Sequence, residues 1–200
     1  MKILVKEDFE KVASQIGCEV AAIKAVAEVE APKGGFDSKG RLTMLFEPHI
    51  FWKELRKIGF IPENVLKVNF RARELNVLSP VWNPKLYGKT VDARWEQFMF
   101  ARNISEEAAY KSCSWGKFQI MGFNFKEAGF SNVFEMVRYF EVGELFQLSA
   151  FVEYLYSVQL DDELRAKDWK GFARQYNGPQ YWKNAYDVKL AKAYNKHSKV

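Results

Sequence analysis

Apolar residues recur every three or four positions along most of the chain, which is the spacing of one face of an α-helix. The first predicted helix spans residues 7–16, with apolar side chains at Phe9, Val12, Ala13 and Ile16. A second helix is predicted over residues 19–30, where an Ala-rich run stops before Pro32 and the Gly34–Gly35 pair. The start of the chain is therefore expected to be helical.

The same spacing predicts helices in most of the remaining chain. These cover residues 48–57, 93–102, 105–112, 118–128, 133–140, 143–159, 161–167, 168–176 and 181–196. Ser105 and Asp168 are predicted N-caps. Residues 59–90 are expected to be mostly irregular, and residues 36–46 leave room for a small β-hairpin. Because no repeat or flexible linker interrupts the pattern, residues 1–200 are predicted to form one mainly α domain with at most a small β-hairpin.

Composition adds a basic C-terminus and many aromatic residues. The net charge is +5, and residues 182–200 carry five Lys against one Asp. Such a face suits nucleic acid, an anionic membrane surface or an acidic polymer, or is simply the solvated side of a last helix. Aromatic residues make up 16% of the chain. They fit a core built on large rings and also a groove in which sugars stack on aromatic planes.

Several classes of chemistry are disfavoured. His49 and His197 are the two histidines and stand far apart, so a clustered zinc site is not expected. No glycine-rich phosphate loop occurs, and no cofactor is expected. Cys18 and Cys113 have no metal or redox spacing and fit small core residues, with a disulfide between them as the alternative. The N-terminus lacks the apolar run of a signal peptide, which predicts a cytoplasmic location.

The carboxylates are the remaining candidates. Glu30 continues the apolar row of Val20, Ile23 and Ala27, whereas Glu28 stands four residues after Lys24 and is expected to form an exposed ion pair with it. Glu30 also lies in the last turn of its helix, where the negative end of the helix dipole opposes ionisation. Burial acts in the same direction and keeps a carboxyl protonated, as a general acid requires. A surface glutamate that merely ends a helix has the same local pattern.

Two distant polar–aromatic clusters accompany Glu30. The first is SWGKFQIMGFN at residues 114–124, and the second is QYNGPQYW at residues 175–182. Each taken alone is compatible with a purely structural role, such as close packing at a glycine or a helix stop. Their order after a helix-ending glutamate is harder to attribute to structure alone.

With these clusters, the chain resembles the N-acetylmuramidase domain of phage endolysins, in the lysozyme-like superfamily that includes goose-type lysozymes and lytic transglycosylases. The resemblance runs through residues 20–36, 40–51, 112–130, 168–182 and 189–194, with SWGKFQIMG and LFEPH as its specific segments. It implies a lysozyme-like fold and cleavage of the β-1,4 bond between N-acetylmuramic acid and N-acetylglucosamine. It also implies that Glu30 is the acid and that Ser114, Gln119, Tyr176 and Asn177 line the cleft. The acid is followed by Ala31, where the family commonly has Ser.

A second carboxylate is less well defined. Glu47 in LFEPH and Asp37 in the loop after Glu30 are the candidates, and Glu47 fits a structural role equally well. Hydrolysis and lytic transglycosylation both stay open, because a transglycosylase needs no second carboxylate. The expected partner is peptidoglycan and not nucleic acid, with a membrane contact through the basic last helix as an addition. The protein is expected to be a monomer that waits in the host cytoplasm until it is released to the wall. A non-catalytic wall-binding module is the alternative from another class.

Overall fold

The computed structural model describes residues 3–32 and 34–199, and within these ranges the chain is mainly helical, as predicted. The helices are α1 (Lys6–Ile16), α2 (Val20–Glu30), α3 (Pro48–Lys57), α4 (Pro62–Val68), α5 (Phe70–Glu74), α6 (Val91–Ile104), α7 (Glu106–Lys111), α8 (Val133–Val142), α9 (Glu144–Ser157), α10 (Asp161–Ala166), α11 (Trp169–Tyr176) and α12 (Tyr186–His197). Among the described residues, no helix is long and apolar enough to span a membrane.

Three short strands form a small antiparallel sheet in the order β1-β2-β3. They are β1 (Met44–Phe46), β2 (Cys113–Trp115) and β3 (Ile120–Met121), and Leu45 pairs with Ser114 while Trp115 pairs with Ile120. The hairpin expected within residues 36–46 is reduced to a single bridge between Phe36 and Leu42. The sheet instead joins the segment after α2 to the distant segment after α7, so a long-range pairing replaces the local one.

The prediction of a helix over residues 118–128 is wrong. This segment holds β3 and a 3₁₀ turn, and it begins with Gln119 in the left-handed region at a φ of 50°. A Cβ atom on Gly122 would stand 2.1 Å from the carbonyl oxygen of Tyr110, so the backbone packs directly on α7. The apolar residues of this segment therefore pack from an extended and turning backbone, although their spacing resembles that of a helix.

Residues 59–90 are less irregular than predicted, because α4 and α5 lie within them. Pro62 opens α4 at a position where its missing N–H costs nothing. The side chain of Asn69 caps α5 by accepting a hydrogen bond from the backbone N–H of Ala72 at 3.0 Å. The predicted cap of α11 is confirmed, since the Asp168 carboxylate accepts from the N–H of Gly171. Ser105 occupies the N-cap position of α7 without a side-chain cap bond.

The core is built on large rings, as one of the two interpretations of the composition predicted. The rings of Phe118 and Phe151 stack with their centroids 4.3 Å apart. Fully buried side chains include Phe46, Phe51, Phe98, Trp115, Phe140 and Phe172. Around this core, α12 packs along α2, and both helices bury apolar side chains such as Ile23 and Leu190. The basic last helix thus supports the helix that carries Glu30.

The contacts of Glu28 agree with this packing of α12 along α2, and they correct one prediction. Its carboxylate contacts Lys196 at 2.8 Å and His197 at 2.9 Å, both on α12. The expected pair with Lys24 is wrong, because Lys24 lies instead over the ring of Phe9. An ion pair between helices has replaced the one expected within α2.

Candidate active site

Glu30 is the last residue of α2, and its side chain is largely shielded from solvent. Burial raises the pKa of Glu30 from the usual 4.5 to about 7, although a hydrogen bond from Asn177 and the charge of Lys189 act in the opposite direction. Desolvation outweighs both stabilising contacts because the charged form loses most of its hydration. A carboxyl with this pKa is substantially protonated near neutral pH.

Asn177 and Tyr176 lie at the end of α11, beside Glu30. The Asn177 amide donates from Nδ2 to Glu30 Oε1 at 2.9 Å. The Tyr176 hydroxyl donates to the carbonyl oxygen of Phe118 at 2.5 Å, and its ring stacks on Phe172. Burial raises the pKa of Tyr176 well above its usual value, with a contribution from the charge of Glu30. The structure therefore brings the second sequence cluster directly to the glutamate.

The first sequence cluster is held beside the same group. The Ser114 hydroxyl donates to Gln119 Oε1 at 2.8 Å, and Gln119 Nε2 donates to the carbonyl oxygen of Gly116 at 2.7 Å. Gly116 has a φ of 72°, which suits the tight turn between β2 and β3. Because Tyr176 bonds to Phe118, next to Gln119, the two clusters form one continuous surface.

Two polar side chains at the start of α9 hold the loops around Glu30, and sequence patterns did not reveal them. Glu144 accepts from the N–H of Gly35 at 2.6 Å, in the turn that follows Glu30. Gln147 accepts from the N–H of Lys117 at 2.7 Å and donates to the carbonyl oxygen of Phe140 at 3.0 Å. Both side chains are buried, so they fix the loop positions from inside the protein.

Glu47 precedes α3 and is bound by two neighbours. The Tyr87 hydroxyl donates to Glu47 Oε2, and His49 Nδ1 lies 3.3 Å from the same oxygen. Burial and the charge of Glu47 raise the pKa of Tyr87 far above its usual value. Trp82 Nε1 donates to the Tyr87 hydroxyl at 2.9 Å. Among the described residues, both contacts of Glu47 use Oε2, and Oε1 accepts no side-chain hydrogen bond.

Tyr186 connects the two carboxylates. Burial raises its pKa to about 12, and the charges of both Glu30 and Glu47 add to the increase. Tyr186 therefore lies near enough to both carboxylates for each charge to oppose ionisation of its hydroxyl. Neither Tyr186 nor Tyr87 stands in a motif that sequence reasoning could have singled out.

Asp37 lies apart from this arrangement. Its carboxylate accepts from Arg41 Nε at 2.7 Å and from the N–H of Lys39 at 2.8 Å, within its own turn. These contacts lower the pKa of Asp37 against the opposing effect of burial. These contacts favour a structural role for Asp37.

Cysteine thiols and possible metal-ligating side chains form no second reactive centre among the described residues. Cys18 and Cys113 are both free thiols, so the disulfide alternative is not realised. No group of three or more His, Cys, Asp or Glu side chains stands at metal-binding distances within residues 3–32 and 34–199.

Comparison with known proteins identifies a family model and a solved structure that are similar to this chain. A family model described as N-acetylmuramidase matches residues 19–198. The crystal structure of the Burkholderia AP3 phage endolysin superposes with a TM-score of 0.82 at 34% sequence identity, over 99% of this chain and 73% of that chain. No curated protein matches the sequence.

Proposed function

This chain belongs to the N-acetylmuramidase family, and we propose that it hydrolyses the β-1,4 bond between N-acetylmuramic acid and N-acetylglucosamine with Glu30 as the general acid. The observation that carries the proposal is the pKa of Glu30, which burial raises to about 7. A glycosidic oxygen is a poor leaving group, and a protonated carboxyl beside it supplies the proton that the leaving sugar needs.

Asn177 determines where that proton is held. Its Nδ2 donates to Glu30 Oε1, so the proton of the neutral carboxyl resides on Oε2. Among the described residues, Oε2 receives no hydrogen bond, which leaves it to face the substrate. Asn177 thereby orients the acid, and we assign it to the lining of the cleft beside Glu30.

The other predicted cleft residues shape the surface beside the acid. Tyr176 is anchored through its hydroxyl, so its role is to hold the Phe118–Gln119 turn in place. Gln119 and Ser114 share a hydrogen bond and present amide and hydroxyl groups to a sugar N-acetyl group. These contacts position the substrate, while the proton transfer stays with Glu30.

Glu47 is the second carboxylate of the proposal. Tyr87 binds its Oε2, which leaves Oε1 to activate a water or to stabilise positive charge on the sugar ring. Lytic transglycosylation is the second candidate reaction. The observation that favours it is the engagement of Glu47 by a tyrosine hydroxyl, which is also what a purely structural carboxylate would show.

By analogy with the Burkholderia AP3 phage endolysin, the biological role that we propose is lysis of a host cell from within. The protein would act as a monomer with one catalytic domain over residues 1–200. It would wait in the host cytoplasm and degrade peptidoglycan after release to the wall. Exposed lysines on α12, such as Lys189 and Lys192, would add an electrostatic contact with anionic membranes. Nucleic acid is not an expected partner.

Digestion of purified peptidoglycan followed by mass spectrometry tests the reaction. Hydrolysis creates new reducing ends, whereas transglycosylation creates 1,6-anhydro sugars. Glu30→Gln should lower the rate at least about a hundredfold, and Glu28→Gln is the matched control because Glu28 faces α12. Intact glycan, or release of free peptides only, would refute the proposal.

Glu47→Gln separates the two candidate reactions. Loss of hydrolysis in this variant, with Asp37→Asn still active, supports Glu47 as the second carboxylate. Anhydro products from the wild type, together with an active Glu47→Gln variant, would instead establish the transglycosylase. Activity that depends on Asp37 and not on Glu47 would contradict the assignment of the site.

A further inference from the structure

Three exposed side chains are stacked beside the candidate active site. The Lys183 ammonium lies 5.7 Å from the ring centroid of Trp82 and 5.6 Å from that of Trp182. Trp82 is 42% exposed and Trp182 is 63% exposed. We call this group the Trp–Lys–Trp cluster. Large rings are costly to leave in water, so two tryptophans held open around one cation need an explanation.

The cluster is attached to both sides of the site. Trp82 donates from Nε1 to the Tyr87 hydroxyl, which in turn donates to Glu47. Lys183 and Trp182 belong to the 3₁₀ turn Tyr181–Asn184, which closely follows Asn177, the partner of Glu30. Tyr186, whose pKa is raised in part by the charges of both carboxylates, stands two residues after this turn. The cluster therefore continues the substrate surface beyond the two carboxylates.

Lys183 is also oriented before any ligand arrives. Its Nζ donates to Gln180 Oε1 at 2.8 Å, which holds the ammonium between the two rings. An ammonium has three N–H donors, and the two that do not bond to Gln180 are left able to bind an anion. The cluster thus offers two aromatic planes for apolar C–H faces and one fixed positive charge.

We infer that the Trp–Lys–Trp cluster is a binding subsite for a peptidoglycan sugar that carries its stem peptide, with Trp82 and Trp182 stacking on the sugar and Lys183 binding a stem carboxylate. This inference rests on the proposed function for its substrate class. A glycan strand alternates sugars with and without a peptide, and the peptide provides the negative charge. A positive charge outside the bond-cleaving centre allows the enzyme to recognise the peptide-bearing strand.

Binding measurements on the inactive Glu30→Gln protein test the inference independently of cleavage. Isothermal titration would use two ligands: glycan fragments with intact stem peptides, and peptide-free fragments in the form of N-acetylglucosamine oligomers of the same length, which carry neither a stem peptide nor a lactyl carboxylate. Lys183→Gln should weaken binding of the peptide-bearing fragments by about tenfold and leave binding of the peptide-free fragments unchanged. Trp82→Ala and Trp182→Ala should weaken binding of both ligands by roughly tenfold. Lys11→Gln, an exposed lysine on α1, is the control and should change neither.

Two further variants keep the test decisive. If Trp82→Ala or Trp182→Ala lowers the melting temperature, the phenylalanine variants retain a ring and should restore most of the binding. Equal affinities of Lys183→Gln and its parent for the peptide-bearing ligand would overturn the inference, as would an equal loss for both ligands. Failure of the wild type to cleave peptidoglycan, with these binding differences intact, would refute the proposed function and leave the subsite standing.

Discussion

Replacing Glu30 by Gln should make the folded protein more stable at neutral and alkaline pH. The raised pKa of Glu30 means that the folded state disfavours the ionised carboxylate, which the unfolded chain accepts freely. Between the usual value of 4.5 and about 7, the folded protein holds a proton that the unfolded chain has released. The free energy of unfolding contributed by Glu30 therefore falls as the pH rises through this interval. Glutamine resembles the protonated carboxyl and does not ionise.

The size of the effect follows from the width of that interval. One pKa unit corresponds to 1.36 kcal/mol, so the shift of Glu30 amounts to about 3 kcal/mol at most. This is a large part of the total stability of a typical domain. With a urea m-value of about 2 kcal/mol/M, the midpoint of the Glu30→Gln variant should exceed that of the wild type by up to roughly 1.5 M at pH 8. Near pH 4.5 the two midpoints should almost coincide.

Urea unfolding monitored by tryptophan fluorescence at pH 5, 6, 7 and 8 measures this difference. Glu28→Gln is the matched control, because the hydrogen bond from Lys196 lowers the pKa of Glu28. The stabilisation from Glu28 is present above its usual pKa and lost only in acid, so its variant should be less stable than the wild type at neutral pH. If the difference between Glu30→Gln and the wild type stays constant from pH 5 to pH 8, Glu30 ionises normally and the argument for its acid role fails.

Three further results are expected. Asn177→Ala should raise the pKa of Glu30 further, because it removes a hydrogen bond that stabilises the ionised form. The alkaline limb of the pH–rate profile should therefore move to higher pH. A limb that stays in place would contradict a stabilising contact between Asn177 and Glu30. Gly35→Ala should destabilise the protein by about 1–3 kcal/mol in urea unfolding, since a Cβ there would stand 2.3 Å from Gln147 Oε1, and an unchanged midpoint would show that the turn adapts. In native protein, Ellman's reagent should titrate at most one thiol and both only after unfolding, because Cys113 is fully buried; rapid reaction of both thiols would disprove that burial.

The position of Glu30 could be predicted because it depends on one helix. The apolar row of Val20, Ile23 and Ala27 sets the face of α2, and Ile23 and Ala27 are buried as the spacing requires. Helix phase is local information that a sequence carries directly. The direction of its pKa shift followed from the same argument, although burial outweighs the opposing contact from Asn177. The catalytic role of Glu30 itself is still a prediction.

The segment of residues 118–128 could not be predicted in this way. Phe118 and Phe125 are both buried and separated by seven positions, which is a helical spacing. Their burial instead comes from a turn at Gly116 and a close backbone approach at Gly122, both imposed by distant neighbours. A periodic pattern reports that side chains are buried, and it does not distinguish a helix from a chain folded back on a packed surface.

The residues that hold the loops of the site are the hardest to predict from the sequence, because their contacts are long-range. Glu144 and Gln147 lie more than one hundred and about thirty residues, respectively, from the loop N–H groups that they bind. A buried carboxylate or amide is tolerated only when such partners satisfy it, and the partners are known only once the chain has folded. Glu30 stands on a helix whose buried face is set by local residue spacing, whereas the loops beside it are held by α9. Substitution of Gln147 should therefore disturb the shape of the cleft while the pKa of Glu30, which depends on contacts with α11 and α12, changes little.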